Sequence, residues 1–221
     1  MRKLSIVFGV LLILGIVCGV FSSVLALEQP DYLSTLVGIS VQVYIAVFFQ
    51  ATMAVVYVLI ATVLYPVFRE RQPVLAVIHT GFRLVGSAFL FAGIASLLLL
   101  LLVSESYVNA SVENHAYHET LGQILRAGRD WLNHVAMILP WSIGGIFLYY
   151  LFLQSELIPV WLSIWGLIAS GLTVLATVLL MLNMIQIVST AYMVMNAPTA
   201  ILEVTLAMYL FIKGFKSIDH E

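Results

Sequence analysis

The sequence predicts an all-α, polytopic transmembrane helical bundle of six spans with both termini cytoplasmic. Three observations carry that prediction. Of 221 residues, 62% are hydrophobic and 9% charged, and the mean hydropathy is +1.10, against roughly 45–50% apolar and about 25% charged in a soluble domain. The apolar residues come in continuous runs of about 20 or more, the length a helix needs to cross ~30 Å of hydrocarbon, and not in the alternating segments of about ten that build a barrel. The basic residues are also unevenly shared. With the N-terminus inside, the inner segments hold Arg2, Lys3, Arg69, Arg71, Lys213 and Lys216, while the outer ones hold Arg126 and Arg129. The expected location is the inner (plasma) membrane, with the lipid bilayer as the first partner.

The same composition excludes a soluble enzyme, a disulfide-built secreted domain and a disordered regulator. A net charge of −2 supplies no basic field for nucleic acid. Cys18 is the single cysteine, so neither an internal disulfide nor a multi-cysteine metal site can form.

The chain reads as one domain over its whole length, with no internal repeat. The first span, at about 4–27, follows Arg2 and Lys3 and stops at Glu28, Gln29, Pro30 and Asp31; it exceeds a signal core of about 7–15 residues and reads as a retained helix. The second, at about 36–65, ends before Pro66, and Arg69, Glu70 and Arg71 separate it from the third at about 74–103. Residues 104–133 form an outer loop. In its second half Leu121, Ile124, Leu125, Trp131 and Leu132 recur at helical spacing among polar residues, which predicts an interfacial amphipathic helix, with a substrate lid as the functional alternative. The fourth span, at about 134–153, is divided by Glu156 and Pro159 from the fifth at about 158–188. The sixth, at about 199–215, follows Asn196 and Pro198.

Ionisable side chains inside a membrane cost roughly 2.5–3.5 kcal/mol at the helix centre and mark sites by default. Three stand out: His79 and Arg83 on the third span and Glu203 on the sixth. Arg83 and Glu203 each lie ten residues from an inner-face marker, Pro73 and Lys213, or about 15 Å deep. Matching depth suggests an intramembrane ion pair, either locking two helices or serving a site. His79 shares the Arg83 face one turn away. Gln50 also lies deep and is expected to hydrogen-bond across helices.

A second cluster, His115, His118 and Glu119, lies in the outer loop with His134 beyond it. Histidines at i, i+3 can chelate a metal, but the H-E-x-x-H pattern and its inverse are absent, and solvated loop histidines explain the spacing as well. Haem would need two axial histidines at similar depth, and His79 and His134 fall near opposite faces. No cofactor is therefore predicted.

Several segments resemble a prokaryotic membrane family catalogued as domain of unknown function 4386. They are Phe82-Arg83-Leu84-Val85, Leu157-Ile158-Pro159-Val160-Trp161-Leu162, and Pro198, Glu203 and Lys213-Gly214-Phe215 on the last span. The likeness runs from about residue 36 to 215 and implies a six-helix inner-membrane protein with no assigned activity. It also implies an acidic residue three places after the third-span arginine; Gly86 stands there, which leaves Glu203 as the partner for Arg83.

No catalytic set converges, so the favoured reading is a non-enzymatic bundle that binds a lipid, a partner or a small solute. One alternative is a metal-dependent membrane enzyme using the outer histidines. Another is a proton- or solute-coupled transporter, for which a homodimer would supply the symmetry that one short chain lacks.

Overall fold

Apolar runs surrounded by hydrocarbon must satisfy their backbone hydrogen bonds within the segment, and helices do this. A computed structural model describes residues 1–216 of the chain. It contains α1 (Arg2–Phe21), a short α2 (Tyr32–Thr35), α3 (Ser40–Arg69), α4 (Pro73–Asn109), α5 (His115–Trp131), α6 (Ile138–Ser155), α7 (Val160–Met181) and α8 (Thr190–Ile212), and no strand among the described residues. Six helical stretches are long and apolar enough to cross a membrane. The chain is an all-α, multi-pass membrane protein.

Several helix ends differ from the positions the sequence suggests, each for a local reason. α3 runs through Pro66 to Arg69 and α8 runs through Pro198, because a proline inside a spanning helix is tolerated where neighbouring groups satisfy the freed carbonyl. α8 starts at Thr190, where the Ser189 hydroxyl accepts the Tyr192 N–H at 3.3 Å as an N-cap. α7 stops at Met181, and Asn183 then adopts a left-handed φ of 55°. α1 stops at Phe21 and is followed by a 3₁₀ turn over Leu25–Glu28. Between α5 and α6 the chain makes a π-turn, Leu132–Ala136.

The six long helices form a closed ring. Each packs mainly on the spanning helices before and after it in the chain, and α8 closes the ring on α1. At the end that carries the N-terminus, Arg2 caps α8 by donating to the carbonyls of Leu210 and Phe211. Beside it the buried Ser5 hydroxyl accepts the Phe215 N–H at 2.8 Å. At the far end the Ser104 hydroxyl donates to Leu33 O at 2.6 Å and accepts the Val37 N–H at 3.2 Å, joining α4 to the α2 region. There α5 packs along the extended end of α4.

The buried apolar side chains form a large cluster around Phe8, Phe68, Phe152 and Leu206 and a far-end cluster around Leu27, Leu36, Leu97 and Leu100. The buried polar residues Gln50, Arg83, Asn133 and Ser142 belong to neither. Phe48, Phe91, Ile168 and Ile201 are exposed on the outer faces, which suits a lipid solvent.

Candidate intramembrane site

His79 and Arg83 sit one turn apart on α4 and are buried, at 1% and 3% exposure. α6 meets them with Gly144 and Gly145, and the missing side chains are what allow the approach. A Cβ on Gly144 would lie 3.3 Å from His79 O and 3.2 Å from Arg83 Cγ, and one on Gly145 would lie 2.8 Å from Ser170 Oγ on α7. In the space so opened, His79 Nδ1 donates to Gly144 O at 2.8 Å. That carbonyl can only accept, so Nδ1 carries the proton and the ring is fixed in orientation. The Arg83 guanidinium lies over the Trp141 indole, 4.3 Å from its centroid. His79 Nε2, Arg83 Nε and Trp141 Nε1 are buried with no hydrogen-bond partner among the described residues.

Glu203 opens onto a cleft of about 190 Å³, lined also by Tyr57 of α3, Trp141 of α6, Thr173 of α7 and Asn196 and Thr199 of α8. Positions 196, 199 and 203 fall on one helical face, so α8 presents a polar stripe to the cleft. Thr199 and Thr173 share a hydrogen bond at 2.9 Å, tying α8 to α7 at the wall. Tyr57 packs on Trp141 with centroids 5.8 Å apart.

The direct Arg83–Glu203 pair that the sequence suggests does not form. Among the described residues the ion pairs within 4.0 Å are Arg126–Glu28 and Arg129–Asp130, each at 3.4 Å. Trp141 is the side chain common to both groups, since its ring carries Arg83 and it lines the cleft of Glu203. Matching depth does not by itself make a contact: Arg83 is packed on the Trp141 ring, and Glu203 lines the cleft without an ion-pair partner within 4.0 Å among the described residues. The Gly86 position follows the same packing logic. A Cβ there would lie 3.0 Å from Met137 O and 3.3 Å from Trp141 Cβ, so a larger side chain would push α6 and its tryptophan away.

Gln50 does not join this group. Its Nε2 donates to Leu90 O and to Asn133 Oδ1, each at 3.0 Å, bridging α3 to α4 and to the π-turn. Asn133 lines a second cavity of about 220 Å³ with Arg129, His134, Ser22 and Ser23, and Met137 and Ile138 line both that cavity and the cleft.

The candidate metal residues are not brought together. The His115 ring packs on Tyr107, 4.3 Å between centroids. His118 Nδ1 lies 2.9 Å from Asn114 O, and Glu119 accepts weakly from the Tyr107 hydroxyl at 3.4 Å. His134 is turned into the bundle, its Nδ1 3.2 Å from the Tyr192 hydroxyl. Among the described residues no three His, Cys, Asp or Glu side chains are grouped for a metal. The spacing of the loop histidines is met by helix α5, whose early turns lie along α4, while His134 belongs to the π-turn at the other end of α5.

Reasoning from sequence overlooked Trp141, the Gly144–Gly145 pair and Asn133. The stripe Asn196, Thr199, Glu203 was a readable signal, obscured by Pro198, which suggested that the helix began after it. No curated protein and no solved structure matches the chain. The family model described as "Domain of unknown function (DUF4386)" matches residues 7–214. Spanning nearly the whole bundle, with the cleft and the second cavity inside it, that match means the chain belongs to the DUF4386 family.

Proposed function

We propose that the protein is a non-enzymatic membrane bundle that binds a small amphiphile in the cleft between α3, α6, α7 and α8. The observation that carries this reading is Glu203. Its carboxylate has no ion-pair partner within 4.0 Å among the described residues, and it lines an intramembrane cleft of about 190 Å³. A carboxylate in such a place calls for a donor, and a ligand with a cationic or hydroxyl-bearing head supplies one. Met137, Ile138 and Ala200 give the cleft an apolar wall for the rest of such a molecule. The lysine and arginine distribution supports an inner-membrane orientation with cytoplasmic termini.

The test uses dodecylammonium as probe on the purified protein in phosphatidylcholine nanodiscs, with retention read by native mass spectrometry. Wild type retains the amine and Glu203→Gln loses it about tenfold or more, the scale of one charge-assisted hydrogen bond. Equal retention by the variant would overturn the reading.

A second reading, proton- or solute-coupled transport, is favoured by one observation. The cleft is lined by α8 on both sides of Pro198 and by the first turns of α6 just after a π-turn, and π-turns are frequent at functional sites. Uptake into proteoliposomes driven by a pH gradient and lost in Glu203→Gln would select it. A metal-dependent enzyme built on the loop histidines has no such support, because no three His, Cys, Asp or Glu side chains are grouped for a metal among the described residues.

A further inference from the structure

We propose that the second cavity, about 220 Å³ at the far end of the bundle, is a phosphate-binding site whose donors are Arg129, Asn133 and His134. It adjoins the Glu203 cleft at Met137 and Ile138, but its donors are different residues and the proposal does not depend on that reading.

Arg129 is 8% exposed, and a guanidinium held that far from water calls for anionic partners. Within 4.0 Å it has one, and a poor one: Nη1 lies 3.4 Å from Asp130 Oδ1, on the next residue of the same helix, while Glu28 acts on it at longer range and is itself paired with Arg126. Its Nε is buried with no hydrogen-bond partner among the described residues. Asp130 itself lines a different cavity with Trp131, Asn183 and Gln186, and no carboxylate lines the Arg129 cavity.

Asn133 stands four residues on from Arg129, on the same side of the helix. Its amide is oriented by Gln50, whose Nε2 donates to Asn133 Oδ1 at 3.0 Å, so the Nδ2 group is the donor left over. His134 follows at once, because the π-turn adds a residue to the turn and brings two consecutive side chains to the same cavity. Its Nδ1 is taken by Tyr192 and its Nε2 is free of protein partners among the described residues. A guanidinium, an amide NH₂ and an imidazole on one wall form a donor set suited to a phosphate oxyanion.

The opposite wall differs. The Ser22 and Ser23 hydroxyls already donate to Gly19 O, at 2.8 and 3.4 Å, so toward the cavity they can only accept. A phosphate carrying hydroxyl groups fits both walls, as a glycerol-bearing lipid headgroup would. The shared chemistry is a phosphate, whether on a lipid or free.

The test has two arms. In the first, the full chain in nanodiscs of mixed phosphatidylglycerol and phosphatidylcholine is released for native mass spectrometry. In the second, thermal unfolding in detergent is followed with and without inorganic phosphate. The variants are Arg129→Gln, Asn133→Asp and, as a control for loss of a nearby positive charge, Arg126→Gln, whose guanidinium pairs with Glu28 at 3.4 Å and does not line the cavity. Asn133→Asp keeps an oxygen for Gln50 to bond and puts a negative charge in place of the donor, so it tests the site even if Arg129→Gln fails to fold.

Preferential retention of phosphatidylglycerol by wild type and Arg126→Gln, reduced about tenfold or more in the other two, supports a lipid headgroup. No lipid preference, with phosphate raising the unfolding temperature of wild type but not of Asn133→Asp, supports free phosphate. Equal responses in wild type and Asn133→Asp, or none in wild type in either arm, overturn the proposal.

Discussion

Arg83 rests on Trp141, its guanidinium carbon 4.3 Å from the centre of the indole ring. A cation buried in the middle of a bundle is thus met first by an aromatic face and only at longer range by the carboxylate of Glu203. The quadrupole of the ring attracts the charge without holding one itself, which leaves Glu203 open to the cleft. The two residues sit differently in the layer: Arg83 joins α4 to α6, and Glu203 lines the cleft.

A double-mutant cycle separates the two contacts. Arg83→Met with Trp141→Leu should show a coupling of about 0.5–2 kcal/mol in detergent unfolding, the range for a desolvated cation–π pair. The cycle of Arg83→Met with Glu203→Gln should give less, because no direct contact joins them. A larger coupling in the second cycle would mean that the ion pair forms in the membrane protein after all.

Gly93 controls the amide bridge. A Cβ at this position would collide with Asn133 Oδ1 and fall 2.9 Å from Gln50 Nε2, so Gly93→Ala displaces both amides and is expected to break their hydrogen bond. The expected loss is about 1–3 kcal/mol from crowding and unpaired amides. Adding Asn133→Ala removes the struck group and should recover part of that loss; simple additivity of the two changes in thermal unfolding would count against the bridge.

Ser5 ties the two ends of the chain together. It is fully buried and takes the Phe215 N–H at 2.8 Å, while its own hydroxyl donates to Met1 O. Ser5→Ala leaves that N–H unpaired, with an expected cost of about 1–3 kcal/mol. Hydrogen exchange at Phe215 should speed up in the variant; unchanged protection would show that the contact is dispensable.

The Arg126–Glu28 pair should matter little. Both side chains are partly exposed, at 28% and 45%, and the single contact is 3.4 Å long. Glu28→Gln should shift stability by no more than about 1 kcal/mol, and by less as salt is raised. A larger effect, insensitive to salt, would show that the pair is shielded in the membrane.

Much of the architecture was legible in the linear sequence. Runs such as Leu98-Leu99-Leu100-Leu101-Leu102 cannot sit in water, and in hydrocarbon a helix is the one open-chain form that satisfies its own backbone. The helical spacing of Leu121, Ile124 and Leu125 was likewise a readable sign of a helix, and α5 runs through them. Prolines misled at the boundaries. Pro66 and Pro198 read as breaks by the rules of soluble chains, yet both lie inside helices.

The site was legible only in fragments. Arg83, His79, Glu203 and Gln50 announce themselves as polar residues in apolar runs, and the depth of each follows from the helical rise. Depth gives one coordinate out of three. Which neighbour each residue meets depends on how the ring closes and on the angle at which each helix presents its face. Those are set by close approaches at Gly86, Gly93 and the Gly144–Gly145 pair, whose partners lie on other helices. A tryptophan in an apolar span gives no sign that it will carry an arginine, and an asparagine at a loop edge gives no sign that a π-turn will aim it inward. The apolar runs alone place this chain in a bilayer as six helices, because solvation by lipid is settled segment by segment. That Arg83 meets Trp141 and Gln50 meets Asn133 follows from the folded bundle, because contacts between helices depend on packing around all six at once.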